Sequence, residues 1–366
     1  MRLVYDHQIF VSQEYGGISR YLCELADHIA AIDSFDVEIL APFHINRYLR
    51  NCNHARVIGK YVRPIPKTVG LRQKIGDLIV KKRLHKDPPD VVHETYYSTS
   101  RLSPKKTRIV TTIHDMIPEK FGESHSAYDK ITSAKATAVS RADHIICVSE
   151  NTRKDLVELL NINPQKVSVI HHGHSFKVNG AYQDEKQIVV KPYILYVGQR
   201  TSYYKNFKRL LRSYATSAQL TSQVKLVCFG GGRFNAEEIS EMMHLNILEN
   251  VVQLSGDDNL LANLYSHASA FVYPSLYEGF GIPLLEAMSY RCPVICSNCS
   301  SFPEVTGDAA EYFDPLSIES IAYALERILM SAERSDALIS LGEKRVQQFS
   351  WEKCADQSRL VYSSLC

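Results

Sequence analysis

Short apolar runs alternate with helical stretches along nearly all of this 366-residue chain. In the first half the strand-length runs are Arg2–Tyr5, Val37–Leu40, Val91–His93, Arg108–His114, His144–Val148 and Val167–His171. In the second they are Tyr193–Val197, Val224–Phe229, Val251–Leu254, Ala270–Tyr273, Pro293–Cys296 and Glu311–Phe313. Most are continuously apolar, the pattern of parallel strands buried on both faces. Ile18–Ala30, Asn151–Leu160, Asn206–Ala218 and Ala236–Leu248 supply helical crossovers. The length suits two cores better than one, which predicts an α/β protein of two Rossmann-like domains. Their expected bounds are 1–175 and 193–348, joined by a polar, turn-rich linker at 176–192. Residues 349–366 form a C-terminal helix expected to pack back toward the first domain. Ligands of such sheets bind at the carboxyl ends of strands, so two facing domains place an active site in the cleft between them.

Composition narrows the class. No apolar run approaches the ~20 residues that span a bilayer, and the first strand begins too early for the core of a signal peptide. Nine cysteines in such a chain argue for reduced thiols and a cytoplasmic protein. The spacing Cys292-x3-Cys296-x2-Cys299 fits an iron–sulfur motif, but the residues around Cys296 read as a strand rather than a loop able to wrap a cluster. Net charge is only +2, yet Lys60 to Lys86 holds nine basic residues against one acid, Asp77. That segment is either a solvated helical face or a patch that meets anionic lipid, on the inner face of the membrane, or a phosphorylated acceptor. Nucleic acid is disfavoured, because no aromatic or Arg-rich binding motif accompanies the charge.

Four stretches carry chemistry. Tyr15-Gly16-Gly17-Ile18 follows the first strand and opens a helix, where glycines let a ligand approach the backbone and the helix start favours an anion; taken alone, the pair reads first as a plain tight turn. His114-Asp115 ends an apolar strand. Gly198-Gln199-Arg200-Thr201-Ser202-Tyr203-Tyr204-Lys205 brings two cations to a helix start, a setting for a diphosphate. Glu278-Gly279-Phe280-Gly281-Ile282-Pro283 opens a helix that carries Glu286, so two carboxylates bracket a glycine turn able to bind hydroxyls.

With these motifs the chain resembles family 4 of the glycosyltransferases, whose GT-B fold pairs two Rossmann-like domains. The resemblance rests on Gly16-Gly17, His114-Asp115, Val148-Ser149-Glu150, Gly198 through Asn206, the Glu-x7-Glu element from Glu278 to Glu286, Pro303-Glu304-Val305 and Gly307–Ala310. It is dense from 193 to 315 and looser between 40 and 105. It implies a retaining transferase that moves a hexose from a nucleotide-diphosphate sugar, with GDP-mannose favoured over a UDP-sugar, to a saccharide or lipid-linked acceptor in surface polysaccharide synthesis. In that scheme Gly16 and Gly17 approach the donor phosphates, and Arg200 and Lys205 neutralise the diphosphate. Glu278, Gly279, Phe280 and Gly281 hold the sugar, Glu286 holds the ribose, and His114 sits beneath the transferred sugar. Two departures stand out. Gln199 intervenes before Arg200, and Arg291 replaces a usual glycine, which is harmless unless the position needs positive φ.

No cofactor and no metal are expected. No Asp-x-Asp motif follows a strand; Asp257-Asp258 reads as a helix cap. His171-His172-Gly173-His174 is rejected as a metal cluster because successive strand residues face opposite sides. A nucleotide-sugar epimerase on the same fold remains an alternative, as does a non-catalytic glycan- or transferase-binding partner. A dinucleotide-dependent oxidoreductase is disfavoured, since no Gly-x-Gly-x-x-Gly follows either first strand.

Overall fold

The computed structural model describes residues 1–122, 126–174, 188–189 and 192–366. The chain divides into two compact units, Met1–Gly173 with Phe349–Cys366, and His174–Gln348. Most of the polar stretch from 176 to 192, read from sequence as a linker, lies outside the described residues.

The first unit holds a seven-stranded sheet of β1 (Arg2–Tyr5), β2 (Asp36–His44), β3 (Arg56–Tyr61), β4 (Val91–Glu94), β5 (Arg108–Ile113), β6 (His144–Cys147) and β7 (Val167–Val169). The order is β3-β2-β1-β4-β5-β6-β7 and each pairing is parallel. β3 has no counterpart in the sequence reading. It is an edge strand with no buried residue, and Gly59 sits where a Cβ would collide with the Ala41 carbonyl of β2. β7 stops at Val169, so His171 and His172 follow a strand rather than lie within it. The terminal helix Trp351–Ser363 belongs to this unit. Trp351, Cys354, Ala355, Val361 and Tyr362 join the core that packs on β1 and the helix Gly17–Ala30.

The second unit holds β8 (Tyr193–Val197), β9 (Lys225–Phe229), β10 (Val251–Leu254), β11 (Ala270–Tyr273), β12 (Val294–Ser297) and β13 (Ala310–Phe313). These six strands run parallel in the order β10-β9-β8-β11-β12-β13. Strand order reverses between β8 and β11, and doubly wound sheets bind ligands beyond the carboxyl ends of strands at such a reversal. The core mixes strand residues Ile194, Tyr196, Leu226 and Val272 with Leu210, Leu211 and Tyr214 of the helix Phe207–Thr216. Cys296 lies within β12, and all nine cysteines are free thiols. Asp257 caps the helix Asp258–His267, its side chain accepting from the Leu260 amide at 3.0 Å. Arg291 has φ 59°. The position therefore does require the left-handed region, at roughly 1–2 kcal/mol for a residue with a Cβ, and its guanidinium is anchored on Glu343.

Candidate active site

The two strands at the reversal in the second unit each end in a loop that carries a charged residue. β8 is followed directly by Gly198, whose φ of 124° a side chain would strain. The loop runs to Lys205 and to Asn206, which has φ 58° and caps the next helix. β11 leads through Pro274 and Ser275 to Glu278. Three hydrogen bonds fix these loops, two between them and one to the segment after β13. The Leu276 amide donates to the Tyr204 carbonyl at 2.7 Å, and Asn206 Nδ2 donates to the carbonyls of Pro274 (3.0 Å) and Pro315 (2.7 Å). The sequence brings Lys205 and Glu278 to one place by this route: their side chains form an ion pair at 2.6 Å. Ser275 Oγ donates to the same carboxylate oxygen at 2.8 Å.

The turn beyond Glu278 is held from a third strand. Ser300, after β12, accepts from the Glu278 amide at 3.1 Å and donates to the Glu278 carbonyl at 2.6 Å. Ser301 Oγ reaches the carbonyls of Glu278 (2.9 Å) and Phe280 (2.8 Å). Gly279 and Phe280 then lead to Gly281, which has φ 104° and caps the helix Ile282–Ser289. Glu286 lies one turn into that helix, buried, and accepts from Tyr265 Oη at 3.2 Å. Tyr265 is stacked on Tyr290. Ser300, Ser301 and Tyr265 escape the sequence reading, because a serine or tyrosine without a motif gives no signal of what it will touch.

At Arg200 the structure departs from the sequence expectation. The side chain is fully enclosed, and its Nε donates to Glu238 Oε1 at 2.7 Å. Nη1 and Nη2 donate to the carbonyls of Gly230 (2.7 Å) and Gly232 (2.8 Å). Gly230, Gly231 and Gly232 follow β9 with φ of 82°, 68° and 74°, a backbone path that side chains would resist. A Cβ on Gly231 would stand 2.7 Å from Arg200 Nη1 and 2.9 Å from the Gly198 carbonyl. In this arrangement the guanidinium shapes the glycine loop. Glu238, which the sequence reading did not single out, closes a capping box: Asn235 accepts from the Glu238 amide at 2.9 Å while Glu238 accepts from the Asn235 amide at 2.8 Å.

The remaining predicted residues belong to the first unit. Gly16 caps the helix Gly17–Ala30 with extended backbone that any residue adopts, and a Cβ there would stand 2.4 Å from Gln13 Oε1, so the Gln13 side chain would have to shift. Gln13 in turn accepts from the Ser19 amide at 3.3 Å. His114 follows β5 and is buried, its ring parallel to that of His172 at 6.1 Å and edge-on to Tyr21 at 5.4 Å. Burial, aided by His93 and the Lys135 charge, pushes its pKa down to about 3. The imidazole is therefore neutral at ordinary pH. Lys135, fully enclosed, fixes the adjoining Asp115 by donating to its carbonyl at 2.9 Å and to Glu119 at 2.7 Å.

A recess of about 400 Å³ in the second unit is lined by Arg200, Ser202 and Asn206 of the loop after β8 together with Arg212, Glu238 and Glu241. It includes none of Lys205, Glu278 and Glu286; Arg212 pairs there with Glu241 at 2.7 Å and Arg200 with Glu238, also at 2.7 Å. The opposed charges of the two loops meet beyond this recess, at Lys205 and Glu278.

Two parallel Rossmann-like sheets with charged loops at such a reversal define the GT-B class of fold. Sucrose-phosphate synthase from Thermosynechococcus elongatus shares that fold with a TM-score of 0.77 at 21% identity, covering 100% of this chain and 98% of its own. WaaG, a glycosyltransferase involved in lipopolysaccharide biosynthesis, does so at 0.74 and 14%, covering 99% of each chain. In sequence, the family model described as glycosyltransferase family 4 matches residues 15–176, and that described as glycosyl transferases group 1 matches residues 181–345. The O-antigen chain mannosyltransferase B of Escherichia coli is 27% identical over 377 residues, covering 95% of this chain and 96% of the relative. The O-antigen chain mannosyltransferase RfbU of Salmonella typhimurium is 30% identical over 219 residues, covering 59% and 60%. The chain belongs to glycosyltransferase family 4.

Proposed function

We propose that this glycosyltransferase is a retaining, metal-independent hexosyltransferase, taking its sugar from a nucleotide diphosphate, GDP-mannose foremost. The acceptor is a saccharide or a lipid-linked saccharide in surface polysaccharide synthesis. The observation that carries the reading is the Lys205–Glu278 pair at the carboxyl ends of β8 and β11. The O-antigen mannosyltransferases among its relatives favour mannose. A UDP-sugar is the second reading, supported by a fold neighbour from Anabaena, HepE, whose structure contains UDP and glucose.

In this reading Lys205 meets the negative charge that develops on the departing diphosphate, in a setting sheltered enough for one cation to matter. Glu278 and the turn through Gly279, Phe280 and Gly281 hold the sugar's hydroxyls. Glu286, kept in place by Tyr265, holds the ribose. Arg200 acts at one remove, by fixing the loop Gly230–Gly232. Gly16, Gly17 and His114 are the first unit's contributions; a neutral His114 can share a hydrogen bond with a sugar without placing a positive charge there. The departing phosphate itself takes the acceptor's proton. The basic segment from Lys60 to Lys86 holds the enzyme at the inner face of an anionic membrane.

The test is a transfer assay with GDP-mannose and UDP-sugars, each in excess EDTA. Turnover with GDP-mannose, undiminished by the chelator, is the expected result. Loss of all turnover in EDTA and its return on adding Mg²⁺ or Mn²⁺ would overturn the metal-independent mechanism.

A further inference from the structure

The helix Val69–Lys86 carries two apolar faces. One is buried: Gly76 lies against the His7 ring, so closely that a Cβ would stand 2.4 Å from it, and Val80 and Leu84 pack with Val4, Leu40, Val92 and Leu102. The other is Leu71, Ile75 and Leu78, spaced i, i+4, i+7. At about 100° per residue these three lie within about 60° of one another and roughly opposite the buried seam. Leu71 is 62% exposed and Leu78 71%. Of the 18 large hydrophobic residues exposed in the described chain, six fall between Ile65 and Ile79, which makes this a patch rather than ordinary scatter. Two opposed stripes cancel in any helical periodicity, so the sequence shows only a basic run.

The charges around the outer stripe are of one sign. Lys74, Lys81, Lys82 and Lys86 are exposed and make no ion pair with described residues. The segment's one acid, Asp77, is turned toward His7, 3.4 Å from its Nε2. No helix among the described residues is long and apolar enough to cross a membrane.

We propose that this helix lies in the surface of an anionic bilayer, with Leu71, Ile75 and Leu78 inserted among the headgroups and the lysines on lipid phosphates. This deepens the membrane contact proposed above, adding apolar insertion to charge attraction. Anionic lipid fits better than a protein. Lysines are depleted from protein interfaces, and a second copy across a twofold axis would set this basic face against itself. Aliphatic side chains rimmed by lysine match a surface that is apolar within and anionic outside.

The experiment is co-sedimentation of the full chain with phosphatidylcholine vesicles, with and without phosphatidylglycerol at about a third of the lipid. Binding should require the anionic lipid and weaken with salt. It should fall ~10-fold or more in the triple variant Leu71→Ser/Ile75→Ser/Leu78→Ser, and likewise in Lys74→Gln/Lys81→Gln/Lys82→Gln. These positions are exposed, so far-UV circular dichroism should not change. Salt-sensitive binding that ignores the serine variant would overturn insertion while leaving the electrostatic contact standing. Binding to neither vesicle would overturn both. Dimerisation in solution, abolished by the serine variant, would assign the stripe to a second copy instead. None of these readouts depends on whether the donor has been identified.

Discussion

Lys205→Ala should lower kcat by ~10²-fold or more, the scale of removing one preorganised charge from a leaving group. The ammonium sits 2.6 Å from Glu278, and each side chain is only 13% exposed, so bulk water replaces it poorly. The substitution also strips Glu278 of its partner, and a displaced carboxylate could lower turnover without any role for the lysine in chemistry. Lys205→Ala/Glu278→Gln separates the two explanations. If Lys205 only positions Glu278, the double variant should be no worse than Glu278→Gln alone. If Lys205 meets the leaving group, the double variant should lose a further large factor. Lys205→Ala turnover within about threefold of the parent would remove Lys205 from the mechanism.

Arg200 and Glu238 should fail together. Glu238→Ala leaves a guanidinium enclosed without its counter-charge, a loss of about 3–5 kcal/mol for a buried pair. Arg200→Ala leaves the carbonyls of Gly230 and Gly232 without these donors and should cost a similar amount. Both single variants should lower the melting temperature and turnover. The double variant should cost clearly less than their sum, because the two residues act as one unit. The rival outcome is specific: Arg200→Ala that melts like the parent but raises the donor KM, with Glu238→Ala near normal. That pattern would mean the guanidinium leaves Glu238 to reach the diphosphate.

The α/β class was legible because buried parallel strands write themselves as continuous apolar runs. β3 was not, since Arg56–Tyr61 is an edge strand whose exposed residues carry no such run. The Glu278 turn was legible because glycine and proline punctuate it, and Gly281 does adopt positive φ. The destination of Arg200 was not. A cation in a loop and a cation folded under a loop have the same sequence, and only the three carbonyl and carboxylate partners tell them apart. The two-faced helix at 69–86 was hidden for a related reason: a sequence shows where apolar residues recur, not which of two opposite stripes the core takes.

The central proposal is retention, and what each candidate group is free to do supports it. An inverting transfer needs a base with a pKa near the working pH beside the acceptor hydroxyl. Burial holds His114 near 3, which makes it a weak proton acceptor. A double displacement needs a carboxylate free to attack the anomeric carbon. Glu278 is engaged by Lys205 and Ser275. The route proposed is attack from the face the diphosphate leaves, with the phosphate taking the proton and Lys205 holding its charge. The most direct test is NMR of the first product formed from an α-linked donor such as GDP-mannose. An α-anomeric linkage is the predicted result; a β linkage in that first product would contradict the account.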